Sequence, residues 1–294
     1  MAQLKPLRGV RVLSLALNLP GPAALLRLRA LGAICVKLEP PAPKGDPMRH
    51  YSPTAYTALH EGIKVIHADL KTTTGQAKLH QELARTDVLL TSFRPSALLK
   101  LGLGWRALHQ RYPALSLVAI VGAPGALAEE PGHDLTYLAQ AGLVSGLNLP
   151  PTLFADMGGA LMSSEAVLAA VLHQKRHGQG SLQEVALSNA ATWLALPRTW
   201  GLTTPEAVVG GAHAGYRVYP CKDGRVAVAA LEPHFAAALY AAAGIDGGVS
   251  EIDLQTMVAT ATHQAIAAWL LTKTRRALNK LALEKDIPLH TLPP

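Results

Sequence analysis

A histidine and an aspartate stand 23 residues apart between residues 131 and 160, and each has glycine close by. Imidazole and carboxylate groups are side chains that commonly transfer protons in enzymes. Neighbouring glycine lets a substrate approach the backbone. His133 and Asp156 are therefore the candidate pair for proton-transfer chemistry. Two simpler interpretations compete: an aspartate before an apolar run is typical of a helix N-cap, and most histidines are neither bases nor ligands.

The composition indicates a well-packed soluble protein without a disulfide framework. With 294 residues, 49% of them hydrophobic and 16% charged, the chain is long enough for one large α/β domain and a smaller one. Cys35 and Cys221 are its two cysteines, and their positions match no paired metal-ligand spacing. The sequence therefore predicts no metal site and a reducing cytoplasmic location.

The chain shows neither a targeting segment nor a membrane span. Its amino-terminal apolar stretch is broken by Asn18, Pro20 and Pro22, unlike a secretory signal. No later run reaches the ~18 continuous apolar residues of a membrane-spanning helix. We expect no membrane partner.

The charge balance favours no nucleic-acid partner. The 27 basic and 20 acidic residues leave a net charge of +7, but the basic residues are scattered and aromatic residues make up only 5%. No helix-turn-helix, RNA-binding or zinc pattern accompanies them. A small polyanionic ligand, or solubility alone, explains the same surplus.

Strand-like and helix-like segments alternate along the first two thirds of the chain, which predicts a parallel α/β sheet. Helices are expected after Pro22, over 74–85 and from about 159 to 176, and a loop over 42–60. No GxGxxG fingerprint follows a strand, so a dinucleotide is not the expected ligand. The predicted strands are 9–18, 34–38, 64–70, 87–90, 115–121 and 183–187.

The order of these elements places one arginine at a favourable position. Arg94 follows the carboxyl end of the strand at 87–90, and ligands of open α/β sheets bind at that edge. A phosphate contact and a solvated loop arginine are both consistent with this position. Further along, 200–215 is predicted as a linker, 216–220 and 225–231 as a hairpin, and the last third as mostly helical.

Taken together and in order, several stretches resemble the class III CoA-transferase (CaiB/BaiF) family, which includes α-methylacyl-CoA racemases. The resemblance implies a Rossmann-like large domain over 1–200, a smaller α+β domain over 201–294 and an interlocked homodimer. It also implies CoA or acyl-CoA as substrate, with no permanently bound cofactor. The matching stretches are GVRVLSLALNLPGPAALLRLRALGAICVKLEPP, HADLKTTTGQ, TDVLLTSFRPSALLKLGLGWRAL, PGHDLTYLAQAG, FADMGG, HGQGSLQEVAL, GYRVYPCKDGRVAVAALEPHF and LALEKDIPLH.

The resemblance implies roles for three residues. In the racemase branch, the residues matching His133 and Asp156 are the two acid/base groups, and the glutamate matching Glu232 supports the histidine. In the transferase branch, the aspartate is instead a nucleophile that forms a mixed anhydride with the acyl group and then a thioester with CoA. Asp156 matches that residue too.

The resemblance also implies CoA contacts. Lys37 matches a basic residue near the CoA phosphates, whereas Phe93, Arg94 and Lys100 fall in the stretch that contacts adenine and phosphate. Lys64 is the basic residue kept where the family usually has NRGKRS, and this departure predicts a weaker affinity for CoA. The chain is also short for the family, which raises the question of an incomplete dimer or an inactive site.

We predict a racemase that acts on the α-carbon of a 2-methylacyl-CoA by two-base proton transfer. The deciding residue is His133, because many transferase relatives carry tyrosine or phenylalanine at that position. A CoA-transferase that uses Asp156 as nucleophile is the first alternative. A catalytically inactive protein that binds CoA esters is the second.

Overall fold

The computed structural model describes residues 4–245 and 252–294 and has two compact units, 1–195 and 196–294. The roles expected for them, CoA binding and catalysis in the larger unit, stay a prediction. Each unit has its own hydrophobic core.

Within the described part of the first unit, parallel strands form a sheet with the order β3-β2-β1-β4-β5-β6. This is the doubly wound order, in which the chain reverses direction across the sheet between β1 and β4. The predicted α/β fold class is confirmed. The strands are β1 (Arg11–Ser14), β2 (Ile34–Glu39), β3 (Lys64–His67), β4 (Val88–Thr91), β5 (Ser116–Val121) and β6 (Leu182–Ala186).

Alternate residues of each strand face opposite sides of the sheet, and both sides are buried along the inner strands β1, β2, β4 and β5. Val12 and Val118 belong to the core on one side, whereas Leu13 and Leu117 belong to the core on the other. A parallel sheet covered on both faces needs apolar residues at successive positions, so its strands read as continuous apolar runs. This explains why the hydrophobic pattern located these strands.

The helices of the first unit cover both faces and follow the strands in βα order. Those that bear on the site are α7, α8 and α9. The helices are α1 (Pro20–Ala30), α2 (Met48–Tyr51), α3 (Pro53–Leu59), α4 (Thr73–Leu83), α5 (Pro95–Lys100), α6 (Trp105–Arg111), α7 (Asp134–Gln140), α8 (Phe154–His177) and α9 (Leu187–Leu194), and a 3₁₀ turn spans Gly125–Glu129.

One loop prediction and the start of one predicted helix were wrong. The segment 42–60 contains α2 and α3 rather than a loop, since Met48 and Tyr56 are buried and anchor two short helices that lack a periodic pattern. The helix α8 begins at Phe154, five residues before the expected start. Gly158 and Gly159 weaken a helix locally, but their close packing against α9 overrides that local preference.

Among the described residues, α8 is long and apolar enough to cross a membrane by length and composition alone. Half of its most apolar stretch is buried within the protein, and it packs on α1, α9, β5 and β6. A core helix of an α/β fold has these properties without any membrane.

The second unit is built on an antiparallel sheet with the order β7-β8-β9. The hairpin prediction was correct, but the third strand, which follows the last helix, was not predicted. Residues 246–251, in the part expected to be mostly helical, lie outside the described residues. The elements are α10 (Leu196–Thr199), a 3₁₀ turn (Val208–Gly210), β7 (Tyr216–Cys221), β8 (Gly224–Ala229), α11 (Pro233–Ala242), α12 (Leu254–Val258), α13 (Thr260–Leu271), α14 (Arg275–Lys285) and β9 (Leu289–Leu292).

Candidate active site

A cleft of about 570 Å³ lies at the carboxyl ends of β1, β4 and β5. This is the point at which the strand order reverses, where doubly wound sheets bind their ligands. The volume lies in the range of small-molecule sites. Four residues singled out from the sequence line it together: Phe93, Arg94, His133 and Asp156.

Asp156 lies in the first turn of α8 and is not its N-cap. The N-cap position belongs to Leu153, which makes no side-chain capping bond. Instead, a carboxylate oxygen of Asp134 accepts the backbone N–H of Asp156 at 2.9 Å. The side chain of Asp156 is thus left available to the cleft, and the simple capping interpretation is wrong.

Asp134 was not predicted as a site residue, although it belongs to the same GHD segment as His133. It is buried at the start of α7, and it also lines the cleft. Two observations make it a positioning residue for Asp156: the hydrogen bond to its backbone and the like charge beside it. No local sequence pattern reveals either one, because 22 residues separate the partners.

The environment of Asp156 raises the pKa of its carboxyl group toward neutral pH. Burial and, to a smaller degree, the negative charge of Asp134 raise the pKa of this carboxyl from 3.8 to about 6, against the opposing effect of the nearby His133. A carboxyl group with such a pKa is present in both protonation states near pH 6–7. It can therefore donate a proton as well as accept one.

His133 is held at the N-cap position of α7 by its backbone. Its N–H donates to Thr136 Oγ1 at 3.0 Å, and that hydroxyl donates in turn to the His133 carbonyl at 2.7 Å. The residue is exposed and its side chain lines the cleft. A fixed backbone with an accessible imidazole suits a general base.

The glycines near the pair also serve packing, and their expected role in substrate approach stays a prediction. A β-carbon at Gly132 would lie 2.3 Å from the Tyr137 hydroxyl, at the floor of the cleft. One at Gly159 would lie 2.2 Å from a methyl group of Leu187. Any larger residue would therefore have to shift the side chain of Tyr137 or Leu187, both of which line the cleft.

The predicted CoA-contacting residues occupy three different places. Phe93 is half-buried in the cleft, and Arg94 is exposed at its rim. Lys100 is exposed at the end of α5, outside the cleft lining. Arg94 and Lys100 nevertheless act on one carboxylate, that of Glu129. Hydrogen bonds from Ser96 lower the pKa of Glu129 most, and the charges of Arg94 and Lys100 lower it further.

Lys37 does not have the position that a phosphate contact requires. Its side chain is fully buried and its ammonium group is ion-paired with Asp46 and, at 3.2 Å, with Glu39. His60 Nε2 lies 2.9 Å away. Glu39, Asp46 and His60 carry the donor atoms of a metal site, but the ammonium group already supplies the positive charge among them.

The same buried cluster supports one wall of the cleft. The second oxygen of Asp46 accepts the backbone N–H groups of Asn18 at 3.1 Å and of Met48 at 3.0 Å, and both residues line the cleft. Since Lys37 holds the other oxygen, its charge fixes the wall indirectly. Lys37 is thus a positioning residue.

Lys64 lies at the opposite edge of the sheet. It is the first residue of β3 and pairs with Val36 of β2, so it stands at the amino ends of parallel strands, whereas the cleft lies at their carboxyl ends. The predicted contact of Lys64 with CoA in that cleft is wrong, because strand polarity separates the two edges.

Glu232 belongs to the second unit, where it is the exposed N-cap residue of α11 and precedes Pro233. Its side chain makes no capping hydrogen bond. Its expected support of His133 stays a prediction.

The sequence of the chain matches the model of CoA-transferase family III over residues 7–292. The chain belongs to CoA-transferase family III. Members of this family are enzymes that act on CoA thioesters, and both transferases and racemases are found among its relatives.

Two relatives represent these two activities at equal identity. The succinyl-CoA–D-citramalate CoA-transferase of Chloroflexus aurantiacus is 31% identical over 97% of this chain and 77% of its own. The α-methylacyl-CoA racemase of Mus musculus is also 31% identical, over 82% of this chain and 65% of its own length. The family III chain therefore spans just under two thirds of the racemase.

The fold is shared with a solved family member. The crystal structure of the hypothetical protein Rv3272 from Mycobacterium tuberculosis superposes with a TM-score of 0.83 and 26% identity, over 97% of this chain and 84% of that one. The likeness covers both units of the family III chain.

The raised pKa of Asp156 predicts a pH-dependent change of stability in Asp156→Asn. The folded protein binds this proton more tightly than the unfolded chain, so ionised Asp156 destabilises the fold above pH 6, and the effect vanishes as the pH falls toward 3.8. Because the side chain is only partly buried, we expect Asp156→Asn to raise the free energy of unfolding by about 1–2 kcal/mol at pH 8. The gain should disappear near pH 4 in urea titrations.

A suitable control is Asp286→Asn, at an exposed position with a left-handed backbone that asparagine also tolerates. It should leave the free energy of unfolding nearly unchanged at both pH values. Equal stability of Asp156→Asn and the wild type at pH 8 would contradict the assigned environment of Asp156.

Proposed function

We propose that the protein is an acyl-CoA racemase that inverts the α-carbon of a 2-methylacyl-CoA. The observation that carries this proposal is the presence of His133 and Asp156 in one cleft, with the Asp156 pKa raised to about 6. Inversion at such a carbon requires two groups that both accept and donate protons. A lone nucleophile would need neither the histidine nor a carboxyl group that is partly protonated near neutral pH.

The proposed reaction consists of two proton transfers. One group removes the α-proton, and the electron pair of the broken C–H bond moves to the thioester oxygen as an enolate. The second group, protonated beforehand, delivers its proton to the opposite face, and the electrons return to form the new C–H bond. His133 serves one face and Asp156 the other, with their roles exchanged in the reverse direction. No oxidant or further reactant is needed.

The CoA portion of the substrate would extend from the cleft over its basic rim. Arg94 is exposed there, and a guanidinium group binds phosphate through two parallel hydrogen bonds. Phe93 offers a ring for the adenine, and Lys100 a second cation beyond it. Glu232 would support His133, as its counterpart does in the racemase branch.

Acyl transfer is the second candidate function, and one observation favours it. The transferase from Chloroflexus aurantiacus aligns with 97% of this chain. In that reaction, ionised Asp156 would attack the thioester carbonyl and expel the CoA thiolate, which leaves a mixed anhydride on the aspartate. A pKa of about 6 leaves the carboxylate ionised above neutral pH, so this chemistry is available to the same residue.

Incubation of a single enantiomer of a 2-methylacyl-CoA in deuterated water separates the two functions. The racemase predicts deuterium at the α-carbon and loss of optical purity at matching rates, without any free acid. The transferase predicts no exchange, and transfer of CoA when an acceptor acid is added, with Asp156 labelled by CoA or trapped by hydroxylamine. The second result would refute the racemase. If neither exchange nor transfer of CoA is observed, the inactive CoA-ester binding protein is favoured.

A further inference from the structure

A second basic pocket lies at the amino edge of the sheet, away from the candidate active site. It has a volume of about 430 Å³, and we call it the amino-edge pocket. It lies over the first residues of β1, β2 and β3, where Arg11 pairs with Ile34 and Lys64 with Val36. Its charged lining residues are Arg11, Arg29, Lys64, Glu82 and Arg85.

The charges of the amino-edge pocket are not balanced. Glu82 is buried and accepts two hydrogen bonds from the guanidinium group of Arg85, and Arg11 approaches it only to 3.9 Å. In the described part of the chain, Arg29 and Lys64 have no carboxylate within ion-pair distance. One carboxylate therefore faces four cations in a single cavity.

The donors of the amino-edge pocket are also incompletely used. The Nε of Arg11 is buried without a hydrogen-bond partner among the residues that the structure describes, whereas buried donors are normally paired. Gly62 leaves room for Arg29, because a β-carbon there would lie 2.1 Å from its guanidinium group. The four cations thus line one cavity, with the Nε atom of Arg11 buried inside it.

We infer that the amino-edge pocket binds a small anion that carries two or more phosphate groups. Arginine forks and a lysine around one cavity match the geometry and charge of such a ligand. The volume suits a small molecule. The site is distinct from the cleft that contains Asp156, because parallel strands place their amino and carboxyl ends at opposite edges of the sheet.

Inorganic pyrophosphate is the first probe, measured by calorimetry at constant ionic strength. The test variant is Arg29→Gln/Lys64→Gln, which removes two exposed cations that have no acidic partner. We expect it to bind pyrophosphate about tenfold more weakly or worse. The matched control is Lys175→Gln/Arg176→Gln, which removes the same charge from exposed positions at the end of α8 and should bind like the wild type.

Two further arms exclude the active-site cleft and identify the class of ligand. Pyrophosphate should bind with unchanged affinity when a saturating acyl-CoA is present, and the test variant should retain its affinity for that acyl-CoA. Adenosine diphosphate binding more tightly than pyrophosphate supports a nucleotide as ligand, and weaker binding supports a free polyphosphate. The inference would be overturned by any of three results. These are an equal loss of pyrophosphate affinity in both double variants, no pyrophosphate binding by the wild type, and competition between pyrophosphate and acyl-CoA.

Discussion

Replacement of His133 by alanine or Asp156 by asparagine is expected to lower the rate of racemisation by about 10²–10⁴-fold, the contribution of a positioned acid or base. Each variant keeps one of the two groups. The remaining group can still remove the α-proton from the enantiomer whose proton faces it, and return a solvent proton to the same face. Each variant should therefore exchange deuterium into one enantiomer without inverting it.

This one-sided exchange is the decisive measurement, because a simple loss of activity would follow from any damage to the cleft. His133→Ala and Asp156→Asn should exchange opposite enantiomers, as detected by NMR of the recovered acyl-CoA in deuterated water. His177→Ala and Asp286→Asn, both at exposed positions outside the cleft lining, should behave as the wild type. Exchange of both enantiomers by either active-site variant would contradict the two-base mechanism.

Replacement of Lys37 by methionine is expected to lower the free energy of unfolding by about 3–5 kcal/mol. The ammonium group is fully buried between Asp46 and Glu39. Without it, two carboxylates remain buried next to each other, and among the described residues Asp46 keeps only the backbone N–H groups of Asn18 and Met48 as partners. Removal of the ammonium group therefore leaves Asp46 buried without an ionic partner, whereas Glu39 retains Arg49.

Urea unfolding followed by tryptophan fluorescence measures this loss, with a constant m-value as evidence that the unfolding transition is the same. Lys280→Gln is the control, because it breaks an exposed pair with Glu284 and should change the free energy of unfolding by less than about 1 kcal/mol. Adding Glu39→Gln to Lys37→Met should restore part of the stability, since one of the two neighbouring buried negative charges is removed. A loss below 1 kcal/mol in Lys37→Met would contradict the role of this cluster.

The Lys37 variant also tests the connection between the buried cluster and the cleft. One oxygen of Asp46 accepts the backbone N–H groups of Asn18 and Met48, and the ammonium group holds its other oxygen and so orients the carboxylate. A variant that still folds should therefore show a weakened affinity for acyl-CoA, although Lys37 itself lines no part of the cleft.

The periodicity of the sequence was sufficient for the parallel sheet, because strands buried on both faces must be apolar throughout, and this signal is local. The hairpin of the second unit was found for a similar reason: its turn residues are adjacent in sequence. The pairing of β9 with β8 was missed, since the partners lie more than 60 residues apart and β9 has only four residues.

The residue types of the candidate site were also predictable. His133 and Asp156 were found from their chemistry and spacing, and the family resemblance that they helped to carry was confirmed. Their catalytic roles, the part played by Glu232, the interlocked homodimer and the location in the cell stay predictions.

The residues Lys37, Lys64 and Asp134 mark what the tertiary structure decided. The sequence shows the charge of a lysine but not its surroundings, and the fold buried Lys37 among carboxylates and placed Lys64 at the amino edge of the sheet. The fold likewise brought Asp134 to the backbone of Asp156. The sequence by itself determined which groups are available for chemistry and which segments form the sheet. Their pKa values, partners and sides of the sheet depend on contacts between distant segments, which exist only once the chain has folded.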